Sequence, residues 1–146
     1  MTSRIAILIA GLCAGSHCMA DCDFTVEVGD GLEYSTTSIV AGSDCESVTV
    51  TITHTGKLPA AAMGHNWVLS KAEDYQALAN AGMGAGLENN YLPPDDERII
   101  ANTRIVGGGE TDSVTFSKDG LGDGDYVFFC SFPGHSSVMK GTFKAG

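Results

Sequence analysis

The segment Cys130-Ser-Phe-Pro-Gly-His135-Ser-Ser-Val-Met139 puts a thiol, an imidazole and a thioether within ten residues, directly after the β-type run Tyr126-Val-Phe-Phe129. A second imidazole, His65, lies far upstream in Met63-Gly-His-Asn-Trp67. One Cys, two His and a weak Met make the ligand set of a blue-copper electron-transfer site. Thiolate is a soft donor that suits Cu(I), and imidazole accepts both copper states. Zinc usually takes more thiolates or paired His, and a hydrolytic metal site keeps one position open for water. This set offers neither an activated water nor a paired acid and base, so substrate turnover is not expected.

Each residue also has a plainer reading. Cys130 alone could be a small buried hydrophobe and Met139 alone core filler. His65 could be an interior His satisfied by backbone. The close spacing of Cys130, His135 and Met139, and the place of His65 between Gly64 and Asn66, favour ligation. His54 reads as a core or partly exposed His, and Trp67 as core. Two other function classes stay open. A copper carrier would use similar soft ligands but needs an exposed, exchangeable site. A thiol hydrolase built on Cys130 and His135 would need an orienting acid, which the motif lacks. Reversible redox titration separates the three.

The elements that must position these residues are mostly strands. Phe24 to Val28 alternates with period two, as a half-buried strand does. Asp30-Gly31 signals a turn, and Ser38 to Val40 a short strand. In Val48 to His54, Val48, Val50, Ile52 and His54 share one face and three Thr share the other. His65, Trp67 and Leu69 are expected on one face of the next strand. Ile99 to Val106, Ser113 to Ser117, Asp125 to Cys130 and Val138 to Lys144 complete the expected strands. Turns fall at Gly107-Gly-Gly109 and Gly120 to Gly124. Ser70-Lys-Ala-Glu73 has the form of a capping box. It predicts one short helix from Ala72 to about Ala81, ended by Gly82, Gly84 and Gly86. Short strands, Gly-rich turns and one inserted helix point to an all-β Greek-key sandwich.

The 146 residues suffice for one domain with its own core. Residues 1–20 read as an export signal, with Arg4, the apolar run Ile5 to Leu12, and small residues leading to cleavage after Ala20. That run is shorter than the roughly 20 apolar residues of a membrane span, and no later segment qualifies. Residues 21–146 then form the single domain of a monomeric periplasmic protein. Seven of the eight Lys and Arg and all 18 acidic residues lie after the cut, for a formal charge of −11. That balance argues against nucleic acid, which needs basic clusters. With that cut Cys13 and Cys18 leave with the signal, so Cys22, Cys45 and Cys130 remain; the alternative cut after Ser16 would leave Cys18 as a free thiol. An odd count in an exported protein asks for one pair and one special thiol. Cys22 and Cys45 open two strand-like segments and form the plausible disulfide.

The chain resembles the azurins, small bacterial cupredoxins. The resemblance rests on Met63-Gly-His-Asn-Trp-Val-Leu-Ser70, Tyr91-Leu-Pro-Pro-Asp-Asp96, Gly109-Glu-Thr-Asp-Ser-Val-Thr-Phe116 and Phe128-Phe-Cys-Ser-Phe-Pro-Gly-His-Ser-Ser-Val-Met-Lys-Gly141. It covers essentially the whole chain after residue 20, and the Cys-x4-His-x3-Met spacing is specific among cupredoxins. It implies an eight-stranded Greek-key β-barrel with a helix outside. It implies one copper ion cycling between Cu(I) and Cu(II), held by His65, Cys130 and His135 in a plane. Met139 would be a long axial sulfur, and the Gly64 carbonyl would face it. Asn66 would fix the loop that carries Cys130, and Cys22–Cys45 matches the family disulfide. Leu32, Met63, Phe132 and Pro133 would form an apolar patch for transient redox partners, such as c-type cytochromes or a periplasmic reductase. His54 matches a non-ligand His, followed here by Thr55 rather than the Pro common in relatives.

Overall fold

A computed structural model describes residues 21–146, so the proposed leader lies outside the described residues. Eight strands form along the chain: β1 Asp23–Val28, β2 Ser38–Val40, β3 Ser47–His54, β4 Val68–Lys71, β5 Ala101–Asn102, β6 Thr111–Ser117, β7 Tyr126–Phe129 and β8 Lys140–Lys144. They divide into two sheets, ordered β1-β3-β6 and β2-β8-β7-β4-β5. The pairs β1·β3 and β2·β8 are parallel and the others antiparallel. The result is an open two-sheet sandwich rather than a closed barrel.

Alternation in sequence becomes alternation in burial. Val48, Val50, Ile52 and His54 of β3 all point inward. On the other face, hydroxyls bridge β3 to β6: Thr49 to Thr115 at 2.9 Å, Thr51 to Ser113 at 2.8 Å and Thr111 to Thr53 at 3.3 Å. Such cross-strand pairs are the unit of sheet stability. The edges of the larger sheet, β2 and β5, are only three and two residues long, which limits edge-to-edge pairing there.

The main core lies between the sheets, around Val26, Val48, Ile52, Leu69, Phe128 and Phe143. Trp67 stacks between Phe116 and Phe128, with ring centroids 5.9 and 5.7 Å away. A second cluster of Val68, Leu78, Ala79, Leu92 and Phe129 joins β4 and β7 to the helix α2, Tyr75–Gly82. Each large aliphatic or aromatic side chain so buried contributes about 1.5–3 kcal/mol relative to exposure.

Several local expectations need correction. The helix starts at Tyr75, and its N-cap, Asp74, makes no side-chain cap bond. Ser70 is no cap: it is buried in β4, opposite Val127, with its hydroxyl donating to the Lys71 carbonyl. Sheet pairing of Ser70 and Lys71 outcompetes a local cap. There are also two helical turns beyond the one expected: α1, Ala60–Met63, and a 3-10 turn, Leu87–Asn89. The strand expected from Ile99 to Val106 pairs regularly only at Ala101 and Asn102. His65 and Trp67 precede β4, with His65 held in an isolated bridge to Val106. Met139 likewise precedes β8, inside the turn that carries His135.

Candidate metal centre

Four segments converge at one end of the sandwich. β1 ends at Val28, and the next carbonyl, Gly29, accepts from His65 Nε2 at 2.9 Å. With Nε2 donating, Nδ1 is the ring nitrogen left with a free lone pair. β3 ends at His54, which stacks on His65 at 5.3 Å. β7 delivers Cys130, and the following loop returns as His135 and Met139. That loop closes through His135 N–H to Phe132 O at 3.0 Å and Met139 N–H to His135 O at 2.8 Å. Gly134 turns it with φ 84°, a conformation that favours glycine.

The convergence brings His65 Nδ1 to 3.8 Å and His135 Nδ1 to 3.6 Å from Cys130 Sγ. Metal–sulfur and metal–nitrogen bonds of about 2.3 and 2.0 Å, set 120° apart, require sulfur and nitrogen about 3.7 Å apart. Both sulfur–nitrogen separations therefore match what one ion bound by the three donors would need. Among the described residues they are the one group of three His, Cys or acidic side chains with ligand atoms this close, all within 4.8 Å of one another.

Cys130 and His65 are fully buried, Met139 is 1% exposed and His135 is 6% exposed. Burial pushes the Cys130 thiol up to about 11, opposed by the backbone N–H groups of Asn66 and Phe132 directed at its sulfur. Burial, then the neighbouring His135, holds His65 down to about 4. His135 is also lowered by burial. Both imidazoles are thus neutral near pH 7, with lone pairs available. A metal must displace the Cys130 proton, so binding releases it and strengthens as pH rises.

The surrounding residues fix this geometry. The Asn66 side chain accepts from Ser131 N–H at 2.9 Å and donates to Ser131 Oγ at 2.8 Å, tying the segment after His65 to the segment after Cys130. The Tyr34 hydroxyl donates to the Asn66 carbonyl at 2.6 Å. Gly64 is buried, and a Cβ there would collide with the Ala60 carbonyl and the Ile105 side chain. His54 takes no part as a donor to the site. Its Nε2–H meets the Met63 carbonyl at 3.0 Å, and its Nδ1 accepts from Gly56 N–H at 3.1 Å.

A family model for copper-binding proteins of the plastocyanin/azurin family matches residues 20–145. The chain belongs to that family. It is 55% identical to an azurin of Alcaligenes faecalis over 126 residues, 86% of this chain and 98% of the relative. It is 44% identical to an azurin of Pseudomonas aeruginosa over 138 residues, covering 94% and 93%. A solved structure, reported in work on the flexible loop of the azurin Az-iso2 of Methylomonas sp. strain J, superposes with a TM-score of 0.83. It shares 46% identity, and the match covers 86% of this chain and 98% of that one. The cofactor of this azurin-type chain is copper, and the protein is a blue-copper electron carrier without substrate turnover.

Sequence reading named His65, Cys130 and His135, whose ligand atoms lie within 4.8 Å of one another in the fold. It missed Tyr34 as a partner of Asn66, and it missed Asn90, whose carbonyl accepts from Ser131 Oγ at 2.6 Å. Asn90-Tyr91 before Leu-Pro-Pro was a usable signal, because Asn tolerates left-handed backbone. The expected patch residues are accessible: Leu32 is 45% exposed, and Met63, Phe132 and Pro133 are half-buried. Val138, between His135 and Met139, was overlooked and is 60% exposed.

Proposed function

We propose that this protein carries single electrons between periplasmic redox proteins through one copper ion. His65, Cys130 and His135 would hold it, and Met139 and the Gly64 carbonyl would be the weaker donors. The single observation that carries the ligand assignment is the buried cluster in which two Nδ1 atoms lie 3.8 and 3.6 Å from Cys130 Sγ. Copper bound there would supply one-electron chemistry between its two oxidation states. The chain's own work is to exclude water, keep both imidazoles neutral and hold three donors at fixed separation. Asn66 contributes by locking Ser131 beside Cys130. Burial of every donor also opposes metal exchange, which favours a carrier of electrons over a carrier of copper.

Met139 gives the first test. Electron donation from an added weak ligand stabilises the more electron-poor Cu(II) slightly more than Cu(I), so such a ligand tunes potential more than it holds metal. Met139→Leu is expected to keep the blue colour and raise the reduction potential by about 59 mV, a tenfold shift in a one-electron equilibrium. Complete loss of copper in that variant would contradict the axial role.

For partner contact we infer the face around His135. Leu32, Met63, Phe132 and Pro133 offer apolar surface there, and the Phe132 ring stacks on His135 at 4.5 Å. Transient electron-transfer contacts are small, often under about 1,200 Å² in total. A few apolar residues therefore suffice to dock c-type cytochromes or a periplasmic reductase. Met63→Lys places a hydrated charge in that face. It is expected to slow self-exchange and partner reduction by roughly tenfold, about 1.4 kcal/mol, with the visible band unchanged. Unchanged rates in this variant, with slower partner reduction after neutralising distant acids, would favour long-range steering by the acidic surface instead.

The periplasmic assignment rests on the leader-like residues 1–20, a family match that begins at residue 20, and a Cys22–Cys45 disulfide suited to an oxidising compartment. Intact-mass analysis of exported protein should give a chain beginning at Asp21.

A further inference from the structure

We propose that Asn90 is a positioning residue for the metal centre, bracing from the outside the segments that carry His65 and Cys130. The proposal rests on the copper reading above only in its second measurement. Asn90 follows the 3-10 turn and sits at φ 54°, left-handed backbone that Asn tolerates far better than most residues. Its N–H closes the turn onto the Leu87 carbonyl at 2.9 Å. This unusual backbone turns the remaining polar groups of Asn90 toward the site.

Three contacts follow. The Asn90 carbonyl accepts from Ser131 Oγ at 2.6 Å, and Ser131 is the residue after Cys130. The same carbonyl lies 3.5 Å from Asn66 Nδ2, and Asn66 is the residue after His65. The Asn90 side-chain Oδ1 accepts from Ile105 N–H at 2.8 Å. Ile105 adjoins Val106, which exchanges both backbone hydrogen bonds with His65, at 3.1 and 2.8 Å. The next residue extends the clamp to the third donor. Tyr91 meets Phe132 edge-on at 5.2 Å, and Phe132 stacks on His135 at 4.5 Å.

The links made by Asn90 and Tyr91 are all non-local, and they join the loop of His65 to the loop of Cys130 and His135. Asn66 and Ser131 already bond to each other, so Asn90 is not needed to bring the loops together. It supplies the outer side of the clamp and joins the Ile105–Val106 segment to it. Loosening that side should leave the fold and the metal-binding residues in place while widening the range of donor separations. A site that must accept two copper states with little movement would then rearrange more with each electron.

The test uses three variants of the whole mature protein. Asn90→Gly keeps the left-handed backbone and the carbonyl but removes the Oδ1 acceptor. Asn90→Asp keeps the acceptor. Asn90→Ala removes the acceptor and disfavours the backbone. The first measurement is amide hydrogen exchange by NMR on copper-free protein. Asn90→Gly is expected to speed exchange at Ile105 by about tenfold, the scale of one net buried hydrogen bond. Asn90→Ala should also speed exchange across Ser131, and Asn90→Asp should behave as the parent. The second measurement is the visible band and electron self-exchange of the copper-loaded forms. Asn90→Gly and Asn90→Ala should shift the band and slow self-exchange severalfold, and Asn90→Asp should restore both.

Unchanged Ile105 exchange in Asn90→Gly would overturn the proposal. So would faster exchange, or a lower melting temperature, with band and self-exchange as in the parent, since Asn90 would then serve the fold alone. A parent protein that never turns blue would instead overturn the copper reading. The copper-free exchange would still decide whether Asn90 braces the segments of His65 and Cys130.

Discussion

Replacing Cys130 with Ser is expected to abolish the intense blue charge-transfer band of the copper-loaded protein while leaving the sandwich folded. The band requires a thiolate bound to Cu(II), and Cys130 is the free cysteine among the described residues. A hydroxyl is a much poorer soft donor, so the electronic signature goes even where His65 and His135 retain some metal. The fold should tolerate the change. Serine differs by one atom, and the backbone N–H groups of Asn66 and Phe132 that face Sγ can donate to a hydroxyl oxygen as well. Burying that hydroxyl costs at most about 1–3 kcal/mol, within reach of a domain stable by about 5–15 kcal/mol. The check is visible absorption at measured copper content beside far-ultraviolet circular dichroism. A colourless wild type at full copper loading would sink the ligand assignment.

The second large effect concerns stability rather than colour. Cys22 and Cys45 are bonded, with an S–S distance of 1.97 Å and Cα atoms 5.7 Å apart. They join the chain just before β1 to the chain just before β3. Both strands run from the disulfide to the metal centre, ending at Val28 beside Gly29 and at His54 beside His65. Six strand residues span about 20 Å, so the disulfide and the metal centre lie at opposite ends of the sandwich. Changing Cys22 and Cys45 together to Ala is therefore expected to cost about 2–5 kcal/mol with the copper spectrum nearly unchanged. Most of the loss comes from freeing a 23-residue separation in the unfolded chain. Some comes from packing, because Cys45 is buried against the main core. Urea unfolding of copper-free protein measures the loss without the stabilising contribution of bound metal. Three titratable thiols in copper-free wild type would contradict the pairing.

Much of this was legible in the residues alone, for identifiable reasons. The Cys-x4-His-x3-Met spacing is local, so its chemistry survives without coordinates. The alternation of Val48, Val50, Ile52 and His54 against three Thr determined which face of β3 is buried, because strand side chains have period two. What tertiary structure alone decided was competition for backbone groups. Ser70 and Lys71 read as a helix cap until Val127 and Tyr126 pair with them in a sheet. The strand after Ile99 stops at Asn102 because later backbone donors turn elsewhere. Thr103 N–H still meets its ladder partner, the Trp67 carbonyl, at 3.0 Å, but Trp67 N–H turns to the Thr103 hydroxyl at 3.0 Å, Arg104 N–H to the Asp112 carboxylate at 2.8 Å and Ile105 N–H to the Asn90 side chain at 2.8 Å. The clamp by Asn90 was hidden for the same reason. Its partners lie 15, 24 and 41 positions away, and no local pattern records which distant N–H or hydroxyl will need that oxygen. Residue type and spacing determined which chemistry this chain can do; only the packed fold decided how far apart its donors sit and which residues keep them there.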